Sequence, residues 1–159
     1  MADSQIQRSP FLLDLHHDDI KSAYERALVA SSLDGDSCRI CSMGLNKDGF
    51  TNKPMLISDT EVIMINVEKG YPKIKILGKM MFVHHLAFMF NNLKTRKTQV
   101  FRERWLNPAF DISHLCGKPR CMSCLAMERH FYQVTRDACH MLNNMADCPH
   151  VPPCKKRNV

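Results

Sequence analysis

The sequence predicts an α+β domain that is held together by two structural zinc ions and begins with an N-terminal helix. Its 159 residues suit one domain with a modest core rather than two domains. Strand-like and helix-like segments follow one another in mixed order with short spacing. Eight cysteines fall into clusters, and clustered reduced thiols are typical ligands of zinc.

The composition narrows the class of protein. Hydrophobic residues make up 45% of the chain and charged residues 24%, which are globular values. No run of about 18 apolar residues is present, so no transmembrane helix is predicted. Residues 1–14 lack the continuous apolar stretch of a secretory signal peptide. We therefore expect an intracellular protein with reduced cysteines and no membrane partner.

Charge is distributed unevenly along the chain. Residues 1–68 hold 6 basic and 11 acidic side chains, whereas residues 69–159 hold 16 basic and 5 acidic ones. A segment with a balance of +11 attracts polyanions, of which nucleic acid is the commonest. We expect DNA rather than RNA, and a nuclear rather than a cytoplasmic location. A merely soluble basic surface is the alternative.

The first half of the chain is predicted to contain a helix, a hairpin and a second helix. Apolar spacing predicts a helix from Asp18 to about Leu33. The apolar run from Glu61 to Val67 and the alternation of Lys73 to Ile76 predict a β-hairpin around the turn Lys69-Gly70-Tyr71-Pro72. Helical spacing returns from Phe82 to Phe90.

The second half is predicted to carry a basic stretch from Lys94 to Trp105, and then a short strand with a cysteine loop from Asp111 to Cys124. A helix from Met127 to Leu142 and a tail rich in cysteine, histidine and proline follow. These patterns divide the chain into an N-terminal arm and helix (1–35), a zinc-bound domain (36–154) and a short basic tail (155–159).

The tail supplies one complete set of zinc ligands. Cys148, His150 and Cys154 lie within seven residues of one another, and Cys139 stands nine residues upstream. Three thiolates and one imidazole form the closed tetrahedral shell of a structural zinc site, which leaves no position for a substrate.

A second set begins with Cys116, Cys121 and Cys124, which need a fourth ligand. Cys38 and Cys41 are the only thiols left, and five sulfurs do not fit four positions. We favour Cys38 as the ligand and Cys41 as a nearby buried thiol, and both stay candidates.

Several of these motifs together resemble the His-Cys box homing endonucleases, which belong to the ββα-metal (His-Me finger) nucleases. The matching residues run from Ser113-His114-Leu115-Cys116 through Arg136 to the Cys148–Cys154 tail. Val83 to Ala87 resembles the helix that precedes the active-site hairpin in that family, and Lys47-Asp48-Gly49-Phe50 gives weaker support. The resemblance implies an endonuclease that hydrolyses phosphodiester bonds with a histidine base and one magnesium or manganese ion.

The resemblance also implies roles for two residues. His114 takes the position of the general base that activates water. Gln133 takes the position of an asparagine that binds the catalytic metal; it keeps the carbonyl oxygen but is longer by one methylene. Cys124 stands where the family usually has a histidine, and the short segment after Cys154 argues against the family's dimer.

Three classes of function follow from these patterns. The first is an active endonuclease, and the second is a catalytically degenerate nucleic-acid-binding module that keeps the zinc scaffold. The third is a zinc-folded protein-interaction domain, which the basic second half disfavours. We predict phosphate contacts on a strand face and on the basic stretch, through Lys73, Lys75, Lys94, Arg96, Lys97, Arg102 and Arg104. The aromatic side chains Phe82, Phe88, Phe90 and Trp105 are predicted to belong to the core.

Overall fold

The computed structural model describes residues 8–34, 38–43, 50–56, 62–68, 71–141 and 148–155. The helices are α1 (Phe11–Asp14), α2 (His17–Val29), α3 (Val83–Asn91), α4 (Gln99–Leu106) and α5 (His130–Met141). The strands are β1 (Ser31–Asp34), β2 (Cys38–Cys41), β3 (Phe50–Leu56), β4 (Val62–Glu68), β5 (Lys73–Ile76), β6 (Lys79–Phe82), β7 (Phe110–His114) and β8 (Leu125–Arg129). They pair in sequence order as antiparallel two-stranded sheets. The predicted α+β class is confirmed.

The N-terminal helices share one apolar core with α3 and the β5–β6 hairpin. Ile20, Ala23 and Ala27 form the buried stripe of α2. Tyr24 and Leu28, which the apolar spacing places on one stripe with Ile20, are partly buried against the same core. The helix ends at Val29 rather than near Leu33, because residues from Ser31 onward pair with β2 instead of continuing the helix. Across the described residues, no helix is long and apolar enough to cross a membrane.

The predicted hairpin between residues 61–67 and 73–76 is wrong. β4 pairs with β3, and β5 pairs with β6. A tight turn at Leu77 and Gly78 closes the β5–β6 hairpin, with φ values of 45° and 82°. Positive φ at both central residues suits the right-handed twist of a two-residue hairpin, and a leucine rarely adopts it. Residues 69–70 of the predicted turn, and residues 47–49, lie outside the described residues.

Helix α3 confirms the predicted Phe82–Phe90 helix and is buried on most of its surface. Trp105 is also buried, as predicted, and its indole Nε1 donates to the carbonyl of Ser9 at 2.9 Å. A polar group buried with a partner avoids a desolvation cost. This bond attaches the segment before α1 to α4.

A β-hairpin of β7 and β8, followed by helix α5, occupies residues 110–141. In the hairpin, Phe110 pairs with Arg129 and His114 with Leu125, and α5 packs against β7. The predicted helix from Met127 therefore begins later, at His130, because residues up to Arg129 belong to β8. The loop between β7 and β8 carries Cys116, Cys121 and Cys124, so three thiols lie together at the loop end of the hairpin.

Candidate metal centres and active-site groove

The first candidate metal centre joins β2 to the loop of the β7–β8 hairpin. The ligand atoms of Cys38, Cys116, Cys121 and Cys124 lie within 4.8 Å of one another, and all four residues are buried. The Sγ atoms of Cys38 and Cys124 are 3.7 Å apart. Two sulfurs on a tetrahedral zinc, each about 2.3 Å from the ion, stand about 3.8 Å apart. The four thiols therefore fit zinc.

Strand alternation decides between the two candidate fourth ligands. Cys38 and Cys41 are three residues apart on β2, and side chains at that spacing point to opposite faces of a strand. Cys38 packs with the other three cysteines, whereas Cys41 packs in the main apolar core. The structure supports Cys38 as the fourth ligand. The inclusion of Cys41 among the candidate ligands is corrected, because Cys41 lies outside this cluster.

Backbone contacts fix β2 against the cysteine loop. The N–H of Cys41 donates to the carbonyl of Arg120 at 2.9 Å, and the N–H of Met122 donates to Arg39 at 2.9 Å. The Arg120 side chain is only 1% exposed and donates to the carbonyls of Cys41 and Met43. These bonds satisfy backbone groups that the loop would otherwise bury unpaired.

The second candidate centre joins α5 to the C-terminal tail, through Cys139, Cys148, His150 and Cys154. Nδ1 of His150 lies 3.2 Å from Sγ of Cys148 and 3.4 Å from Sγ of Cys154. Its Nε2 lies 2.7 Å from the hydroxyl of Thr135. An imidazole that turns one nitrogen toward the ligand set and bonds the other to a neighbour is oriented for metal binding. This predicted ligand set is confirmed as a cluster.

Burial and crowding disfavour the thiolate form of these cysteines unless a cation is close. Burial raises the pKa of Cys38 to about 11, and the neighbouring thiols add to that rise. Burial likewise raises the pKa of Cys154 to about 12. Several thiolates at such short distances repel one another unless a positive ion lies between them. A divalent zinc at each centre would supply that charge.

His114 occupies the last position of β7, two residues before the first loop thiol. It is 6% exposed, and none of the described residues gives its Nε2 a hydrogen bond. Burial lowers the pKa of His114 to about 4, although the neighbouring Cys121 acts in the opposite direction, and this keeps the imidazole neutral.

Aromatic rings cover His114. The ring of Tyr71 stacks on it with centroids 5.5 Å apart, and the ring of His84 lies at 4.7 Å. Burial lowers the pKa of His84 well below its ordinary value, and burial followed by the charge of Arg8 lowers that of His85 to about 3. Among the residues that the structure describes, the Nδ1 atoms of His84 and His85 have no hydrogen-bond partner. A buried imidazole nitrogen without a partner lowers the stability of the folded chain.

Gln133 lies on α5 at the edge of a groove and is half-buried. Its Nε2 is 3.5 Å from the hydroxyl of Tyr71. With the amide nitrogen turned toward Tyr71, the carbonyl oxygen remains for a hard cation. The groove has a volume of about 720 Å³, and its lining includes Arg8, Tyr71, Lys79, His84, Asp111, His130 and Gln133.

The predicted phosphate-contacting cations divide into three groups. Lys73, Lys75, Lys94 and Lys97 are exposed. Arg102 pairs with Asp14 at 2.9 Å, and the guanidinium of Arg104 lies 5.5 Å from the ring centroid of Phe110. Arg96 is only 5% exposed and donates to the carbonyls of Leu12 and Leu15. The prediction of a phosphate contact is wrong for Arg96, because its buried guanidinium binds backbone carbonyls in and just after α1.

The groove contains residues that the sequence analysis did not select. Arg8 lies before α1 and reaches Asp111, which in turn contacts His130. No local spacing connects residues this far apart in sequence. The adjacent histidines His84 and His85 were visible as a pair, but only the fold brings them to His114.

Comparisons with known protein families, with curated proteins and with solved structures find no match to this chain.

Proposed function

We propose that the protein is a zinc-stabilised endonuclease of the His-Cys box type, which hydrolyses phosphodiester bonds of DNA in the nucleus with a histidine base and one divalent cation. The observation that carries the proposal is the state of His114. Its imidazole is buried and neutral, and within the described part of the chain its Nε2 has no hydrogen-bond partner. It stands on a β-hairpin whose following helix carries Gln133.

The first candidate zinc centre supports His114 as a general base. His114 stands two residues before Cys116, a ligand of that centre, and its carbonyl accepts from the N–H of Gly117 in the same loop at 3.0 Å. A base must be held within hydrogen-bond distance of the water that it deprotonates, and a closed zinc shell gives the loop that rigidity. The free Nε2 lone pair of the neutral ring takes a proton from water as the water oxygen attacks phosphorus.

The second catalytic candidate, Gln133, fits a divalent cation through its amide oxygen. Magnesium keeps several waters and takes few protein ligands, so one carbonyl oxygen and the substrate phosphate suffice. When bound, a divalent cation stabilises the charge on the leaving oxygen. Gln133 contributes by holding its oxygen toward the groove while Tyr71 engages its nitrogen.

Access to His114 requires the ring of Tyr71 to move. The ring of Tyr71 stacks on one face of His114. Within the residues described, no hydrogen-bond partner reaches Nε2 of His114. A phosphodiester that enters between His114 and Gln133 would replace both contacts of Tyr71. The proposed cleavage therefore begins with this displacement.

A second candidate function is a nucleic-acid-binding module without catalysis, which keeps the zinc scaffold. The observation that favours it is the same covered imidazole. Because Tyr71 contacts both His114 and Gln133, a chain in which this ring stays in place can bind phosphates on its exposed lysines and cleave nothing.

A plasmid-nicking assay with magnesium or manganese tests the proposal. We expect the native chain to nick supercoiled DNA and His114→Ala to abolish nicking by at least about 100-fold. His17→Ala is the matched control, because His17 is an exposed histidine on α2. Salt-dependent binding of DNA without nicking would establish the binding module instead, and an RNA duplex in a parallel arm distinguishes the two nucleic acids.

A further inference from the structure

The groove is also lined by His130, whose ring is held by a carboxylate. Nδ1 of His130, the first residue of α5, is in hydrogen-bond contact with Oδ2 of Asp111 on β7. The imidazole therefore commits one nitrogen to Asp111 and keeps Nε2 for another partner. About two thirds of its side chain is exposed (66%), so a substrate reaches it without rearrangement of the core.

The carboxylate of Asp111 is itself held from a second side. Nη1 of Arg8 lies 3.6 Å from Oδ1 of Asp111. Arg8 in turn donates through Nε to the carbonyl of Trp105 at 2.8 Å, and its side chain is 7% exposed. A histidine oriented by a carboxylate that is fixed in this way has the arrangement that proton-transferring histidines use in hydrolases.

His130 and Gln133 are three residues apart on α5, so they lie on the same face one turn from each other. Both line the groove. Tyr71 connects Gln133 to His114, since its hydroxyl lies 3.5 Å from Nε2 of Gln133 and its ring stacks on His114, and His130 lies one helical turn from Gln133 along α5. In an in-line displacement, the attacking and leaving oxygens stand on opposite sides of phosphorus, and each needs its own proton-transfer partner.

We propose that His130 is a further catalytic residue, the general acid that protonates the leaving oxygen. The inference rests on the proposed endonuclease function. The water oxygen forms a bond to phosphorus as Nε2 of His114 takes one of its protons. The bond from phosphorus to the leaving oxygen breaks and its electron pair stays on that oxygen. His130, protonated on both nitrogens in this step, gives the oxygen its Nε2 proton and keeps the Nδ1 proton on Asp111. The sum is hydrolysis, and the two rings regain their starting states by exchange with solvent. Asp111 and Arg8 are positioning residues.

The test compares two leaving groups. An alkoxide leaving from DNA needs a proton, whereas p-nitrophenolate leaving from bis(p-nitrophenyl) phosphate is stable without one. We expect His130→Gln to slow nicking of plasmid DNA by about 100-fold or more, and to leave hydrolysis of the p-nitrophenyl diester close to the native rate. Asp111→Asn should show the same selectivity with a smaller loss. His114→Ala should abolish both reactions, since both need an activated water.

A matched control and three other outcomes make the result decisive. His17→Gln removes another exposed histidine, which lies 3.1 Å from Asp18, and should change neither reaction. Native-rate nicking by His130→Gln would overturn the general acid while the endonuclease function stands. Equal loss of both reactions would also overturn it, because a group that only binds or supports the site affects both substrates. Absence of both reactions in the native chain would refute the proposed function, and the general acid with it.

Discussion

Nη1 of Arg136 lies 3.5 Å from Sγ of Cys154, the last ligand of the second candidate metal centre. The same guanidinium binds the carboxylate of Glu128 through two hydrogen bonds, of 2.8 and 2.5 Å. Arg136 is on α5, Glu128 is on β8 and Cys154 is in the tail. One buried side chain therefore connects the hairpin, the helix and the metal ligands.

Arg136→Met should lower the free energy of unfolding by about 3 kcal/mol. The side chain of Glu128 is only 9% exposed, and a buried carboxylate without its partner is strongly destabilising. Urea titration of the zinc-loaded protein measures the effect. Arg102→Met is the control, because the exposed pair of Arg102 with Asp14 should contribute less than about 1 kcal/mol. Equal effects of the two changes would contradict the role of the buried pair.

Elemental analysis should find about two zinc ions per chain in protein that was purified without chelator. Cys38→Ser should remove one of them, whereas Cys41→Ser should keep both and only lower the melting temperature, since Cys41 packs in the apolar core. Chelation should unfold the C-terminal half, because structural zinc supplies about 10 kcal/mol or more of folding energy. Metal-free protein that remains folded would contradict this prediction.

Acid should destabilise the protein through His85. Burial lowers the pKa of His85 to about 3, while the ordinary histidine value is about 6.5. Between these values the unfolded chain binds a proton that the folded chain does not bind, so stability is full above about pH 6.5 and falls as the pH decreases. The slope is about 1.4 kcal/mol per pH unit for one such group.

His85→Phe removes this titration and should reduce that slope in unfolding curves taken between about pH 6 and pH 4. The groups that face His85, namely His84, His114 and Arg8, are the same in both proteins. Acid release of zinc affects both equally, so the difference between the two slopes isolates His85. Identical slopes would show that His85 is not held neutral.

Tyr71→Ala should raise nicking activity relative to the native chain, because it removes a ring that stacks on His114 and helps to bury it. Tyr71→Phe keeps the ring on His114 but loses the contact with Gln133 at 3.5 Å, and should give a smaller increase. Rates at saturating DNA measure both variants. Lower activity of Tyr71→Ala at unchanged melting temperature would mean that the ring assists the substrate instead of covering the base.

Binding of duplex DNA should weaken steeply with salt, and Lys94→Ala with Lys97→Ala should flatten that dependence. Each phosphate contact that is lost changes the logarithmic salt slope by about 0.9. Arg96→Ala should leave the slope unchanged and lower the melting temperature, because its guanidinium binds the carbonyls of Leu12 and Leu15. Filter-binding titrations at several salt concentrations measure the slopes, and a large slope change in Arg96→Ala would refute this assignment.

The two candidate ligand sets could be predicted from the sequence, because cysteines and histidines at such short spacing allow few other groupings into four-ligand sites. The choice between Cys38 and Cys41 needed the strand, since only alternation across β2 separates the two thiols. The hairpin was mispaired because the real turn, at Leu77 and Gly78, uses a leucine at positive φ that no turn preference reveals.

Long-range contacts explain most of the remaining differences. A run of basic residues does not show that Arg96 turns inward to α1. The stacking of Tyr71 on His114 joins a residue just before β5 to the last residue of β7. Such contacts depend on tertiary packing, which sequence spacing does not encode.

The carbonyl of Leu115 receives Nε2 of His140 at 2.9 Å and the N–H of Lys155 at 2.8 Å. Leu115 precedes a ligand of the first centre, and Lys155 follows a ligand of the second. Loss of zinc from either centre therefore disturbs an acceptor that serves the other, and we expect the two ions to be taken up cooperatively. A cell short of zinc would then hold a mixture of fully loaded and unfolded chains with few half-loaded ones. Because proteases remove unfolded chains, the abundance of the protein would follow zinc supply with a threshold rather than in proportion to it.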